Sequence, residues 1–152
     1  MKKIQTVGIV RKNNKILLGL KKYGFGEGKW NGFGGNTEKG ETPLETMKRE
    51  LLEEANITAI DLIEYGTIIY QFGKNEDLIE CHFFLIGSFE GEPSESDEMR
   101  PKWFDISKIP YDSMWPDDRS WLPLMLKGKK FRGAVIFDKA GAMKVNEIKA
   151  II

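Results

Sequence analysis

Apolar positions along this chain fall into runs with two different spacings. Ile4 to Val10 is β-branched and apolar, and after Arg11-Lys12-Asn13-Asn14 the run from Lys15 to Leu20 repeats that character, which predicts a hairpin. Ile57 to Phe72 carries two strand-like runs broken near Asp61 and Gly66. Leu78 to Phe89 is another long strand beyond the turn Gly73-Lys74-Asn75-Glu76, so the two segments pair as a long hairpin. Trp103-Phe104 reads as a short strand and Ile106 to Ile109 as a helical turn. Two more strands, Gly133 to Asp138 and Ala142 to Ile148, flank Lys139-Ala140-Gly141.

The helical spacing appears twice. Leu44, Met47, Leu51 and Ala55 share one side of a helix at about 100° per residue, the stripe an amphipathic helix buries. Thr42 can cap the first turn, Pro43 suits the first helical position, and Glu45 completes a capping box. Asn56 tolerates the left-handed conformation just past a helix end, so the spacing predicts a helix from Pro43 to Ala55. A second helix is expected from Asp117 to Lys127, with Trp121, Leu122, Leu124 and Met125 on its apolar side and a kink at Pro123. A mixed sheet with one helix on each face is an α/β fold, an α/β/α sandwich.

Composition narrows the classes. With 152 residues and 41% hydrophobic content, the chain suffices for one core, so one domain spanning 1–152 is expected. The 23 basic and 23 acidic residues cancel, leaving no net field to draw it onto a nucleic acid polymer or an anionic membrane. Cys81 is the only cysteine, which excludes an intramolecular disulfide and suits a reducing, cytoplasmic compartment. Lys2 and Lys3 precede a mixed segment unlike a signal peptide, and no apolar run nears the roughly 18 residues of a membrane span. His82, the single histidine, lies in an apolar run and reads as a satisfied or half-exposed strand residue, so chemistry rests on carboxylates.

Glu50, Glu53 and Glu54 stand at i, i+3 and i+4 on the first helix, where each like-charged pair weakens an isolated helix by some tenths of a kcal/mol. A hard divalent cation, Mg²⁺ or Mn²⁺, takes oxygen ligands and offsets that repulsion. Mg²⁺ usually binds through one or two carboxylates plus phosphates, so a third glutamate remains free to orient or deprotonate water. The run Gly32-Phe33-Gly34-Gly35 lets backbone approach the cluster closely. A bare E-x-x-E-E would suit a solvated helix face equally well. The full run is Gly35, five residues, Glu41, seven residues, then Arg49-Glu50-Leu51-Leu52-Glu53-Glu54-Ala55-Asn56-Ile57. It resembles the Nudix box at every fixed position except its final glycine, which Asn56 replaces.

Other segments allow two readings from residues alone. The stretch Lys21 to Gly35, rich in glycine and aromatics, can line a pocket around a flat ring or form a mobile loop; Phe25 and Trp30 favour the pocket. Thr6 is a surface strand threonine or faces a ligand. The acidic stretch from Glu90 to Glu98 is a solvated connection or a second source of metal ligands. Asp117 and Asp118 follow Pro116 as ordinary helix-start residues or serve recognition.

The blocks Gly24-Phe25-Gly26, Trp30-Asn31-Gly32-Phe33-Gly34-Gly35, Glu95-Ser96-Asp97-Glu98-Met99-Arg100-Pro101 and Met114-Trp115-Pro116-Asp117-Asp118 resemble, in order and over nearly the whole chain, the animal-type MutT homologues. These are Nudix hydrolases that act as 8-oxo-dGTP diphosphatases. The resemblance implies that Asn31, Asp117 and Asp118 read the purine edge. It also implies that Trp115 stacks on the purine and that Phe25, Tyr70, Phe72 and Trp121 wall the pocket, with Thr6 among the substrate contacts. By the same resemblance, metal ions bind Glu50, Glu53, Glu54 and Glu98 beside the Gly34 carbonyl. Water attacks the β-phosphorus to release nucleoside monophosphate and pyrophosphate. Glu53 is the chosen base, Arg49 the partner that holds Glu41 or Glu50, and Lys21 the phosphate candidate.

Two adjacent aspartates against a dry aromatic pocket cannot both ionise easily, so one should donate while the other accepts. Swapping those roles would admit both an oxidised guanine and an oxidised adenine. Asn36 stands where the relatives commonly carry lysine, Ile79 where methionine is frequent and Tyr70 where phenylalanine is. The expected partner is a small-molecule nucleotide and the expected state a monomer. The rivals are a Nudix hydrolase of ADP-ribose or a dinucleoside polyphosphate, and a catalytically silent nucleotide-binding module.

Overall fold

The computed structural model describes residues 2–73 and 77–151. Among these, nine strands form a mixed sheet: β1 (Lys3–Lys12), β2 (Lys15–Lys21), β3 (Trp30–Asn31), β4 (Thr58–Phe72), β5 (Ile79–Glu90), β6 (Met99–Asp105), β7 (Phe131–Phe137), β8 (Met143–Asn146) and β9 (Lys149–Ala150). Two α-helices, α1 (Pro43–Ala55) and α2 (Asp118–Leu126), accompany it, with short 3₁₀ turns at Ile106–Lys108 and Tyr111–Ser113. The sheet runs β3-β2-β1-β5-β4-β7-β8, with β6 added to β2 and β9 to β7. β1 pairs β5 and β4 pairs β7 in parallel, while the β1–β2 and β4–β5 pairs are antiparallel.

The central strands are apolar on both faces because both faces are covered. Ile9, Leu18 and Phe83 point into a core with Trp121, Leu122 and Met125 of α2. Their neighbours Val10, Leu17 and Phe84 point into a second core with Met47, Leu51 and Ala55 of α1. This is the two-residue alternation of a strand read across a sheet, and it yields the expected α/β/α layering.

α1 spans the expected residues. The Glu45 N–H donates to Thr42 Oγ1 at 3.2 Å and the Thr42 N–H to Glu45 Oε1 at 2.9 Å, the complete capping box. Asn56 closes the helix at φ 60°, its N–H on the Leu52 carbonyl and its side-chain amide on Ser94 Oγ at 2.8 Å. Asparagine thus serves where the motif carries glycine. Thr42→Ala is expected to remove about 1 kcal/mol of stability, read as a fall of about 2–4 °C in Tm.

Several expectations are corrected. Leu44 is not part of the buried stripe but 41% exposed, because the buried side of α1 centres on Thr46, Met47, Leu51, Glu54 and Ala55. Ile57 to Phe72 is one strand from Thr58, not two, and its apparent breaks near Asp61 and Gly66 coincide with register shifts against β5; a bulge interrupts the pattern without ending the strand. β6 is seven residues long, Trp30 and Asn31 pair with β2 instead of looping, and α2 begins at Asp118, with Asp117 as its flanking residue. Of the expected turn from Gly73 to Glu76, residues 74–76 lie outside the described residues.

Candidate active site

The Nudix-box residues meet where α1 passes the turn between β3 and α1. Gly34 lies against β1 so closely that a Cβ there would sit 1.8 Å from the Thr6 carbonyl oxygen. The Gly34 N–H donates to Glu54 Oε1 at 2.8 Å, and a Cβ on Gly35 would meet Glu50 Oε1 at 2.6 Å. The turn is therefore moulded on two carboxylates, and only glycine allows it. Thr6 is buried behind it, its hydroxyl accepting from the Gly35 N–H at 3.4 Å; in this structure Thr6 supports the turn.

Arg49 is the hub of the acidic cluster. Its Nε and Nη2 grip the two Glu41 oxygens at 2.7 and 3.0 Å, its Nη1 reaches Glu50 at 2.9 Å and both Glu53 oxygens at 3.4 Å, and Nη2 also donates to the Asn36 carbonyl at 3.1 Å. The bidentate Arg49 bond, helped by the Glu38 N–H, holds the Glu41 carboxyl down to about 2. Asn36, where a lysine was expected from the relatives, accepts from Gln5 Nε2 at 2.9 Å.

The other carboxylates behave oppositely. Burial pushes Glu54 up to about 9, with the charges of Glu50 and Glu98 adding to the rise against the opposing Gly34 N–H. Burial also raises Glu50, opposed by Arg49 and reinforced by Glu53 and Glu98. Three acidic side chains that feel one another, with oxygen donors and too little positive charge, fit a hard divalent cation. Among the described residues no three carboxylates converge into a finished cage. Glu50 is turned to Arg49, Glu54 to Gly34, and Glu98 is paired with Lys21. Lys21, expected near phosphates, is thus an ion-pair partner within the same cluster.

The second half of the site is aromatic. Phe25, though 71% exposed, stacks on Trp115 at 5.1 Å between centroids and meets Phe72 edge-on at 5.4 Å. A flat ring can enter between Phe25 and Trp115 only if Phe25 moves. Its loop carries Gly24, Gly26 and Gly28 at φ 82–85°. Lys29 Nζ lies 5.2 Å from the Trp115 ring centre. The Asn31 amide donates to the Lys29 carbonyl at 2.9 Å.

Asp117 and Asp118 are 2% and 7% exposed. The Tyr70 hydroxyl donates to Asp117 Oδ2, and the Trp121 indole N–H donates to Asp118 Oδ1 at 3.0 Å. Trp121 is a core side chain against Phe83 at 4.5 Å and lies beneath the pair, not on an open wall. Burial pushes both carboxyls up, Asp118 further, with the Asp117 charge adding to it. A carboxyl whose folded pKa exceeds its unfolded one lets the folded state bind more protons, so its contribution to stability diminishes as pH rises from the unfolded value of 3.8. Asp118→Asn, which keeps an acceptor for Trp121, is expected to raise Tm relative to wild type more at about pH 8 than at about pH 5. Equal differences at both pH values would contradict this.

One wall had no signal in the motifs. Phe137 stacks on Phe72 at 5.2 Å and lies 5.5 Å from Trp115. Asp138, Lys139 and Gly141 of the following turn line an open cavity of about 180 Å³ with Phe25, Phe72 and Trp115. β7 pairs in parallel with β4, and that non-local register brings them to the site. His82 binds Glu80 at 2.7 Å within the sheet.

Acidic side chains moulded to a glycine turn, near an aromatic cleft with its own buried acids, define a hydrolase of phosphate-bearing small molecules. The chain belongs to the Nudix family, since the NUDIX domain model matches residues 2–125, and members generally use divalent metal ions. It is 50% identical over 131 residues to the oxidized purine nucleoside triphosphate hydrolase of Danio rerio, covering 86% of this chain and 84% of that one. It is 31% identical over 133 residues to the 8-oxo-dGTP diphosphatase of Escherichia coli, covering 86% and 99%. In fold it matches the MutT crystal structure from Bacillus halodurans at a TM-score of 0.85, with 23% identity and 97% of each chain covered.

Proposed function

We propose that this protein hydrolyses oxidised purine nucleoside triphosphates such as 8-oxo-dGTP and 2-oxo-dATP to the nucleoside monophosphate and pyrophosphate, using Mg²⁺ or Mn²⁺. The observation that carries the reading is the adjacent buried pair Asp117–Asp118, joined to the Phe25–Phe72–Trp115 rings by the Asp118 N–H on the Trp115 carbonyl and by Tyr70 alongside Phe72. The Nudix box alone would serve many phosphoanhydrides. A buried acid pair beside an aromatic cleft suits a purine whose edge carries both donors and acceptors. The names of the relatives support the same substrate class.

In this reading Glu50, Glu53, Glu54 and Glu98, with the Gly34 carbonyl, would hold the cation. When bound, the ion neutralises phosphate oxygens and lowers the pKa of water. Arg49 fixes Glu41 and Glu50, so the box keeps its shape as charge accumulates. Glu53 takes the proton of the attacking water, the oxygen of that water joins the β-phosphorus, and the bond to the bridging oxygen on the α-phosphate breaks. The nucleoside monophosphate is the leaving group, and the water oxygen is retained in the pyrophosphate. We place it as a monomer in a reducing cytoplasm; the lone Cys81, which allows no intramolecular disulfide, supports the compartment.

A kinetic panel with Mg²⁺ tests this: 8-oxo-dGTP, 2-oxo-dATP, an O6-alkylated dGTP, plain dGTP, ADP-ribose and a dinucleoside polyphosphate. An oxidised purine triphosphate should have the highest kcat/KM and yield pyrophosphate. Preference for ADP-ribose or the dinucleotide, or no turnover, would reject the proposal.

A further inference from the structure

The Tyr70 hydroxyl sits on β4 at the position paired with Ile79 on one side and Val135 on the other, so the sheet fixes its place. It donates to Asp117 Oδ2, while its ring lies alongside Phe72 and Phe137. A phenol donating to an ionised carboxylate makes a stronger bond than one donating to a neutral acid. On Asp118, the Trp121 indole, a donor only, occupies Oδ1 and leaves the other oxygen able to carry a proton. Both bonds favour the ionised form of the acid that accepts them, and the phenol, far more acidic than the indole, makes the stronger of the two.

We infer that Tyr70 is a specificity-determining positioning residue: its hydroxyl holds Asp117 as the charged acceptor and leaves the shared proton on Asp118. The inference rests on the purine reading above and deepens it. A 2-amino-6-oxo purine and a 2-oxo-6-amino purine present donor and acceptor in reversed order along the edge. A pair with its proton fixed on one member matches one order better than the other. Without the hydroxyl, the proton would exchange between the two acids more evenly and the preference would narrow or invert. Among the described residues, the titratable groups around the pair include Cys81 of β5, Tyr111 in the 3₁₀ turn before Trp115, with Arg119 against it, and the cation Lys29 of the glycine-rich loop. Burial pushes Cys81 and Tyr111 up, so neither competes for the proton.

Tyr70→Phe tests this, because phenylalanine keeps the ring. The ratio of kcat/KM for 8-oxo-dGTP to that for 2-oxo-dATP should change by about 5–10-fold. The acid limb of the kcat/KM profile should move up by about one pH unit, since Asp117 loses a donor that favoured its ionised form. In an Asp117→Asn background the same change should leave the ratio unaltered, a coupling that a merely structural role for the ring would not give. NMR titration of carboxyl-labelled aspartates in the ligand-free protein should show Asp117 taking up its proton at higher pH in Tyr70→Phe. An unmoved ratio and acid limb in a folded variant would overturn the inference, as would an unmoved Asp117 titration. If wild type hydrolyses neither purine, the functional reading fails, and the ligand-free titration still decides whether Tyr70 biases the pair.

Discussion

Exchanging Glu53 for glutamine is expected to lower kcat by about 10²–10⁴-fold, the usual contribution of a positioned base, with little change in KM. Of the three helix carboxylates, Glu50 is held by Arg49 at 2.9 Å and moulded to Gly35, and Glu54 is committed to the Gly34 N–H. The Glu53 side chain is 57% exposed and touches Arg49 only at 3.4 Å. It is therefore the one in contact with water and free to accept a proton. Glutamine preserves its size and removes a like charge from the cluster, so stability should change by less than about 1 kcal/mol. Steady-state kinetics with a parallel melt separates the two effects. A variant with unchanged kcat would remove Glu53 from the chemistry.

Gly34→Ala should be the most damaging small substitution in the site. Its new methyl would lie 1.8 Å from Thr6 O and 2.5 Å from Thr6 C, both backbone atoms of β1. β1 is clamped between β2 and β5, so the turn has to move instead. That movement withdraws the N–H from the buried Glu54 and shifts the backbone packed on Glu50. A destabilisation of about 2–4 kcal/mol follows from the clash and the lost donor, read as a fall of roughly 5–15 °C in Tm. Activity should be nearly abolished even well below the melting range. Gly87→Ala is the control: no atom lies within 4 Å of its new methyl, and it should behave as wild type.

What could be read from the residues was local. Thr42, Pro43, Glu45 and Asn56 mark the ends of α1 by their own chemistry, and the acidic spacing depends on one helix, so both were legible. The layering followed from runs such as Ile16-Leu17-Leu18, whose side chains serve two faces. What could not be read depends on register between distant segments. Phe137 and the turn after it reach Phe72 and Trp115 only through the parallel β4–β7 pairing. The Tyr70–Asp117 bond requires α2 to dock on that same face. Leu44 carries the helical period yet faces solvent, because periodicity defines a side of the helix and not where the sheet edge stops. The pairing of Glu98 with Lys21 joins residues 77 positions apart, and no spacing rule announces it.

The most direct test is a crystal structure with a non-hydrolysable 8-oxo-dGTP analogue and a divalent cation. The purine edge should lie within hydrogen-bond distance of Asp117 and Asp118, its face against Trp115, and the triphosphate beside Glu53. A purine bound away from Asp118, or a triphosphate remote from Glu53, would contradict the account.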